Sequence, residues 1–141
     1  MVAQMMIPHH KQAIEMSALA QTRSSNPEIV ALADQITAAQ GPEIEQMTGW
    51  LTSAGASMDM GHSMHMDGLL SDEQMSALEK ASGADFDRLY LEGMIGHHEG
   101  AVTMAAMVVG SQNAEAAALG ASIVSSQTEE IAYMKQLLST L

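Results

Sequence analysis

Hydrophobic side chains recur at helical spacing along two long stretches of the chain. In the first stretch, one face of a 3.6-residue period carries Ile29, Leu32, Ala33, Ile36, Gln40, Ile44, Met47 and Leu51. Asn26 is a favoured N-cap residue, and Pro27 suits the first helical position. Asn113 stands at the same place before the second stretch. The pattern therefore predicts a long amphipathic helix after each asparagine.

Each of these helices is preceded by another helical pattern. The first predicted helix runs from near the chain start to about Gln21, and its counterpart from about Asp85 to about Val109. Pro42 lies inside the second helix, where it should kink the helix or remove a backbone hydrogen bond. Four long helices joined by short loops, with one long crossover in the middle, predict an all-α four-helix bundle.

The crossover contains a further helix signal. Ser71 followed by Gln74 resembles a capping box, which predicts a short helix from about Asp72 to Ser82, ended by Gly83.

The two halves of the chain resemble each other in order and in residue type. The segment from Met6 to Met16, with the His9-His10 pair inside it, recurs as the segment from Met94 to Met104. Later positions recur as well: Asn26, Glu28, Leu32, Ile36, Gln40, Glu43, Ile44, Met47 and Leu51 match Asn113, Glu115, Leu119, Ile123, Gln127, Glu130, Ile131, Met134 and Leu138. We predict a single domain with repeat one at 1–54, a crossover at 55–84 and repeat two at 85–141.

Composition restricts the possible partners. The 141 residues include 14 methionines and no cysteine, and the net charge is −12. An acidic chain without a basic face is a poor partner for nucleic acid or an anionic membrane. No apolar run reaches the ~20 residues of a membrane span. Thioether ligands need no deprotonation and form no disulfides, so this usage favours a protein that handles soft metals outside the cytosol.

The two His-His pairs are the first candidate metal ligands. Adjacent helical residues point about 100° apart, so ligands for one ion are expected one turn apart. Met6 with His10, and Met94 with His98, form such pairs. His9 and Met16, like His97 and Met104, are roughly 10 Å apart along the helix axis, which is too far for one ion without a partner helix.

A second interpretation of the histidines remains open. They could instead be buried, neutral and hydrogen-bonded to Gln40, Glu43 and their counterparts in repeat two, which lie on or beside the core face. Both interpretations can hold together, because a metal-binding histidine usually donates its other N–H to a carboxylate.

The crossover holds the densest group of soft ligands. Four methionines and two histidines lie within nine residues: Met58, Met60, His62, Met64, His65 and Met66. Glycines surround them and no helical or strand period is present, so a role in the core does not account for them. Thioether and imidazole ligands select Cu(I), and Ag(I) by the same softness, over Zn or Fe. The alternative is a low-complexity linker.

Motifs of catalysis do not appear. No Glu-x-x-His motif is present, although a ferritin-type di-iron bundle would carry two. The sequence also lacks a glycine-rich phosphate loop, a cysteine nucleophile and a nucleophile-elbow serine. We therefore expect a binding protein and no enzymatic activity.

The repeated Met-Ile-x-His-His-x-x-Ala-x-x-Met motif resembles a bacterial family of secreted helical domains of unknown function that includes periplasmic copper-binding proteins. The resemblance covers nearly the whole chain. It implies a ferritin-like four-helix bundle made of two tandem helix–loop–helix repeats, export from the cytoplasm, and copper or silver binding. By motif position it indicates Met6, His9, His10, Met16, Met47, Met94, His97, His98, Met104 and Met134. Pro42 departs from the symmetry of the two halves.

The hypothesis from the sequence is a secreted or periplasmic protein that sequesters or transfers Cu(I), with Ag(I) as a second candidate ligand. Its partners would be the metal ion and another copper-handling protein. The counterparts of Asp85 and Phe86 would precede Met1, so we expect a trimmed precursor. One alternative is an Fe or Mn carboxylate bundle using Glu15, Glu43, Glu99 and Glu130 with a redox role. The other is an interaction module without metal.

Overall fold

The computed structural model describes residues 2–55 and 68–141, and this part of the chain is built from α-helices without a strand. This confirms the all-α prediction. The helices, in chain order, are α1 (Val2–Arg23), α2 (Pro27–Ala54), α3 (Asp72–Lys80), α4 (Gly83–Ala106) and α5 (Ala114–Ser139).

The four long helices form the predicted bundle. Helix α1 packs along α2, α4 packs along α5, and α1 and α4 meet in the middle. The short α3 lies against both α1 and α4. Within the described residues no helix combines the length and apolarity that a bilayer span requires.

Local capping chemistry explains where several helices begin. The Asn26 side chain accepts a hydrogen bond from the Glu28 backbone N–H, and Pro27 is the first residue of α2. The Asn113 side chain caps α5 in the same way. Ser71 and Gln74 make both bonds of the capping box at α3. Each cap satisfies backbone N–H groups that have no partner inside the helix.

Some predicted helix boundaries were wrong. Helix α3 ends at Lys80, and Gly83, expected to end it, is the first residue of α4 with a φ of 60°. Helix α4 stops at Ala106 and gives way to turns before Val109. Helix α2 continues through Pro42 to Ala54, so the proline removes a backbone donor without ending the helix.

The buried apolar side chains form two clusters. The aromatic cluster contains Phe86 and Tyr90, together with Ala13, Met16, Ala20, Ile29, Leu32, Ala33, Ile36, Leu78, Leu91, Met94, Met134 and Leu137. The aliphatic cluster contains Met6, Ile7, Met47, Leu51, Ala101, Met104, Ala105 and Ile123. Each cluster combines side chains from both halves of the sequence.

The chain just after the Met/His-rich segment of the crossover, residues 58–66, packs on the bundle beside the histidine motif of α4. Gly68, with a φ of 84°, lies so close to the Gly96 carbonyl and the His97 Cα that a Cβ there would clash with backbone. Two residues later, the Gln12 side chain donates to the Leu70 carbonyl at 3.1 Å and accepts from the Leu70 N–H at 2.9 Å. The amide of Gln12 thus satisfies both backbone groups of a residue outside any helix.

Replacing Gln12 with alanine is expected to lower the free energy of unfolding by about 1–3 kcal/mol, because the partly buried backbone of Leu70 loses both partners. Urea denaturation followed by circular dichroism measures the change. Gln21→Ala is the control, since the Gln21 side chain bonds Asp34 at the exposed surface. Equal effects of the two substitutions would contradict the proposed importance of the Leu70 contact.

Candidate metal centre

Four histidines lie at the middle of the bundle, where α1 faces α4. All four are fully buried: His9, His10, His97 and His98 are at most 1% exposed. The rings of His9 and His97 are in contact, with centroids 3.8 Å apart and planes tilted by 42°. Together with Gln40, Glu43, Gln127 and Glu130, these side chains form what we call the histidine layer.

The outer histidine of each pair is held by a glutamate from the neighbouring helix. His10 Nε2 lies 2.7 Å from Glu43 Oε1, and His98 Nε2 lies 2.6 Å from Glu130 Oε1. An ionised carboxylate only accepts hydrogen bonds, so the imidazole Nε2 carries the hydrogen and donates it. In the neutral ring, Nδ1 then bears the free electron pair. The glutamates thus set the tautomer in which Nδ1 can act as a ligand.

Several buried polar atoms of the histidine layer have no hydrogen-bond partner among the described residues. They include Nδ1 of His10 and His98, Oε1 of Gln40 and both amide atoms of Gln127. A buried polar group without a partner costs about 1–3 kcal/mol, so such a concentration requires an explanation. Buried ring nitrogens that carry a free electron pair and have no hydrogen-bond partner are suited to binding a cation.

His97 is kept neutral by its surroundings. Burial, followed by the proximity of His9, His98 and His10, lowers the pKa of His97 from 6.5 to about 2. A neutral imidazole is the form that binds a metal, because protonation would occupy its electron pair.

Thioethers flank the histidine layer on both sides. Met6 and Met94 each precede a buried histidine by one helical turn, so each can approach its ring from the same helix face. Along the bundle, Met6 shares the aliphatic cluster with Met47 and Met104, whereas Met94 shares the aromatic cluster with Met16 and Met134. Each side of the histidine layer therefore has three buried sulfur atoms in one cluster.

Carboxylates do not complete a hard-ligand site in this region. Glu15 and Glu99, which the carboxylate-bundle hypothesis needs, are exposed. Over residues 2–55 and 68–141, no three side chains of His, Cys, Asp or Glu converge as metal ligands.

The structure brings together most of the predicted ligands. Ten lie in the histidine layer or the flanking clusters, and all are buried: Met6, His9, His10, Met16, Met47, Met94, His97, His98, Met104 and Met134. The crossover ligands Met58, Met60, His62, Met64, His65 and Met66 lie outside the described residues.

Two details of the site differ from the sequence hypothesis or extend it. The glutamates bond the outer histidines, His10 and His98, whereas the Oε1 atoms of Gln40 and Gln127 have no partner in the part of the chain that the structure describes. Gln35, which the sequence hypothesis omitted, donates to Glu130 Oε2 at 3.1 Å from the neighbouring α2. The repeat gives no signal for Gln35, because its counterpart position holds Ser122.

The fold and the histidine layer define a helical-bundle protein with a buried His–Glu–Met centre. The chain belongs to the family described as "Domain of unknown function (DUF305)", whose model matches residues 1–138. This confirms the family resemblance. No curated protein sequence matches the chain.

Solved structures share the whole fold. A DUF305 protein from Streptomyces coelicolor, which its name describes as secreted, is 31% identical with a TM-score of 0.93, covering 99% of this chain and 90% of that one. A DUF305 fragment from Deinococcus radiodurans is 29% identical with a TM-score of 0.91, covering 99% and 94%. CopM in its Cu(II)-bound form is 31% identical with a TM-score of 0.85, covering 98% and 93%. CopM has also been solved in Cu(I)-bound and Ag-bound forms.

Proposed function

We propose that this protein binds Cu(I) outside the cytoplasm and sequesters or transfers it, with Ag(I) binding at the same ligands. The observation that carries the proposal is the repeated His–Glu pair. In each pair the glutamate fixes the hydrogen on Nε2 and leaves a buried Nδ1 without a hydrogen-bond partner among the described residues. A methionine one turn earlier on the same helix supplies a soft ligand beside that nitrogen.

The residues divide into two roles. His10 with Met6, and His98 with Met94, are the proposed ligands, whereas Glu43 and Glu130 orient the imidazoles. The remaining buried methionines of the two clusters, Met16, Met47, Met104 and Met134, supply further thioethers, and His9 and His97 complete the donor set.

The crossover methionines and histidines are the proposed capture ligands. Their sequence combines thioethers and imidazoles at high density, and two or three such groups can hold a low-coordinate monovalent ion. Gly68, which follows this segment in the crossover, lies against the backbone of Gly96 and His97. Capture there would therefore bring the ion close to the histidine layer.

The comparisons support this proposal in two respects. CopM, with a similar fold along 98% of this chain, has been solved with copper and with silver. The Streptomyces coelicolor relative is described as secreted, which agrees with the use of thioethers in place of cysteine. The physiological partner would then be another copper-handling protein that delivers or receives the ion.

Competition for Cu(I) against a chromogenic chelator tests the proposal. The unmodified protein is expected to remove Cu(I) from the chelator. The Glu43→Gln, Glu130→Gln double variant should bind about 10–100-fold more weakly, because the imidazoles lose the carboxylates that orient them. The matched control is Glu45→Gln with Glu129→Gln, since both of these glutamates are exposed on the same two helices.

Further variants separate the two groups of ligands. Changing Met58, Met60, Met64 and Met66 to leucine tests capture by the crossover, and Met107→Leu is its control because Met107 is 60% exposed. A weaker crossover variant would place part of the affinity in the crossover. Failure of the unmodified protein to compete at all would disprove copper binding.

A further inference from the structure

The two His–Glu pairs of the histidine layer differ at the second carboxylate oxygen. His98 Nε2 donates to Glu130 Oε1 at 2.6 Å, and the side-chain amide of Gln35 donates to Glu130 Oε2 at 3.1 Å. For Glu43 the structure describes only the bond from His10 Nε2 to Oε1, at 2.7 Å. Among the described residues, therefore, one glutamate is held at both oxygens and the other at one.

The difference arises at a single position of the repeat. Gln35 lies on α2 and reaches Glu130 on α5, whereas the matching position of α5 holds Ser122. The serine hydroxyl is attached directly to Cβ, so it lacks the reach of the glutamine amide. A residue of the first half of the chain thus contacts the site of the second half, and the reverse contact is missing from the described residues.

The Glu130 carboxylate lies at the boundary between the bundle interior and solvent. A recess of about 320 Å³ between α2 and α5 is lined by Gln35, Ser126, Glu129, Glu130 and Tyr133. The side chain of Glu130 is 8% exposed, whereas that of Glu43 is 14% exposed. A carboxylate at such a boundary gains hydration when it rotates toward solvent. The second hydrogen bond, from Gln35, opposes this rotation of Glu130.

The orientation of Glu130 determines which nitrogen of His98 is free. While the carboxylate accepts from Nε2–H, the free electron pair of the neutral ring stays on Nδ1. When the carboxylate turns away, the ring loses the partner that selects this tautomer. Gln35 therefore influences His98 through Glu130, without touching the ring itself.

We propose that Gln35 is a positioning residue that fixes Glu130, so that His98 keeps its hydrogen on Nε2 more firmly than His10 and is the first of the two to bind a metal ion. The order of metal binding rests on the proposed function, whereas the state of the hydrogen does not. The two halves of the chain are then unequal although their histidines and glutamates match.

Nitrogen NMR of the ¹⁵N-labelled, metal-free protein tests the positioning role. It identifies the ring nitrogen that bears hydrogen in each histidine, and exchange of that hydrogen with water reports how often the carboxylate releases it. The Nε2–H of His98 is expected to exchange more slowly than that of His10. Gln35→Ser should accelerate the exchange at His98 by about 2–10-fold, the equivalent of one hydrogen bond, and leave His10 unchanged.

The complementary variant is Ser122→Gln, because the repeat places this position opposite Glu43. It should slow the exchange at His10, and the double variant Gln35→Ser, Ser122→Gln should reverse the order of the two histidines. Gln46→Ser is the matched control, since Gln46 is exposed on the same helix as Gln35, and it should change neither rate. A merely structural role of Gln35 would accelerate the exchange at both histidines, and circular dichroism verifies that each variant is folded.

A titration with Ag(I) alone, followed at the ring nitrogens, tests the order of binding. In the unmodified protein the Nδ1 signal of His98 should shift at a lower Ag(I) concentration than that of His10. Gln35→Ser should weaken Ag(I) binding at His98 by about 2–10-fold. In the double variant, His10 should respond first.

The outcomes separate the positioning role from the proposed function. Exchange rates that follow the glutamine, with Ag(I) binding in the same order, support the whole proposal. If the exchange at His98 is unchanged in Gln35→Ser, Gln35 is not a positioning residue. If the exchange follows the glutamine but Ag(I) binds neither histidine, the positioning role stands and the proposed function fails at these ligands. If Ag(I) binds both histidines equally, the proposed order is wrong and metal binding stands.

Discussion

Lowering the pH from about 6.5 to about 4.5 is expected to destabilise the folded protein by about 2 kcal/mol through His97 alone. The pKa of His97 falls from 6.5 to about 2 in the folded state because the ring is buried beside other histidines. Below pH 6.5 the unfolded chain therefore binds a proton that the folded chain does not. The free energy of unfolding falls with decreasing pH throughout this window, and the slope approaches about 1.4 kcal/mol per pH unit below about pH 5.5.

Urea denaturation at a series of pH values measures this effect. The His97→Leu variant removes the titrating ring, so the difference in stability between the variant and the unmodified protein should change by about 3 kcal/mol between pH 7 and pH 4.5. An effect of leucine on packing that does not depend on pH shifts the plot of unfolding free energy against pH without changing its slope. Parallel curves for the two proteins would show that His97 titrates normally, in conflict with its burial.

Replacing Phe86 with alanine is expected to lower the free energy of unfolding by about 3–5 kcal/mol. Phe86 is completely buried in the aromatic cluster and stacks on Tyr90, with ring centroids 5.6 Å apart. Tyr90 in turn is fixed by a 2.8 Å hydrogen bond between its hydroxyl and that of Ser17. Alanine would leave a cavity at the end of the bundle that is otherwise filled. The loss is a large share of the 5–15 kcal/mol typical of a domain.

Leu89→Ala is the control for Phe86→Ala, because Leu89 lies on the same helix and is 39% exposed. It should change the stability by less than about 1 kcal/mol. Denaturation in urea gives both values, and an unchanged dependence on urea concentration would show that only stability has changed. A loss below about 1 kcal/mol in Phe86→Ala would mean that the aromatic cluster collapses around the cavity.

The sequence predicted the helices because their signals are local. Caps such as Asn26 and the Ser71 capping box act within three residues, and the apolar period continues over a whole helix. The predicted helix boundaries were wrong where the same residue type can mark either the end or the start of a helix. Gly83 can end one helix or begin the next, and the choice depends on how α3 and α4 pack.

The sequence predicted which residues form the site, but only some of the contacts between them. The repeat identified the histidines and Glu43, but two adjacent histidines point in different directions from one helix. Which of them reaches Glu43 depends on the rotation of α1 against α2, and that is set by packing.

The two halves of the chain contribute together to both buried clusters. Met16 of α1 lies in the aromatic cluster with side chains of α4 and α5, whereas Met104 of α4 lies in the aliphatic cluster with side chains of α1 and α2. A chain cut within 56–67 would yield two pieces, each retaining only part of either cluster. Their reassembly would depend on protein concentration, as it does for the subunits of an obligate dimer. In the intact chain the crossover links the two halves covalently, so their association does not depend on protein concentration and the folded state persists at any dilution.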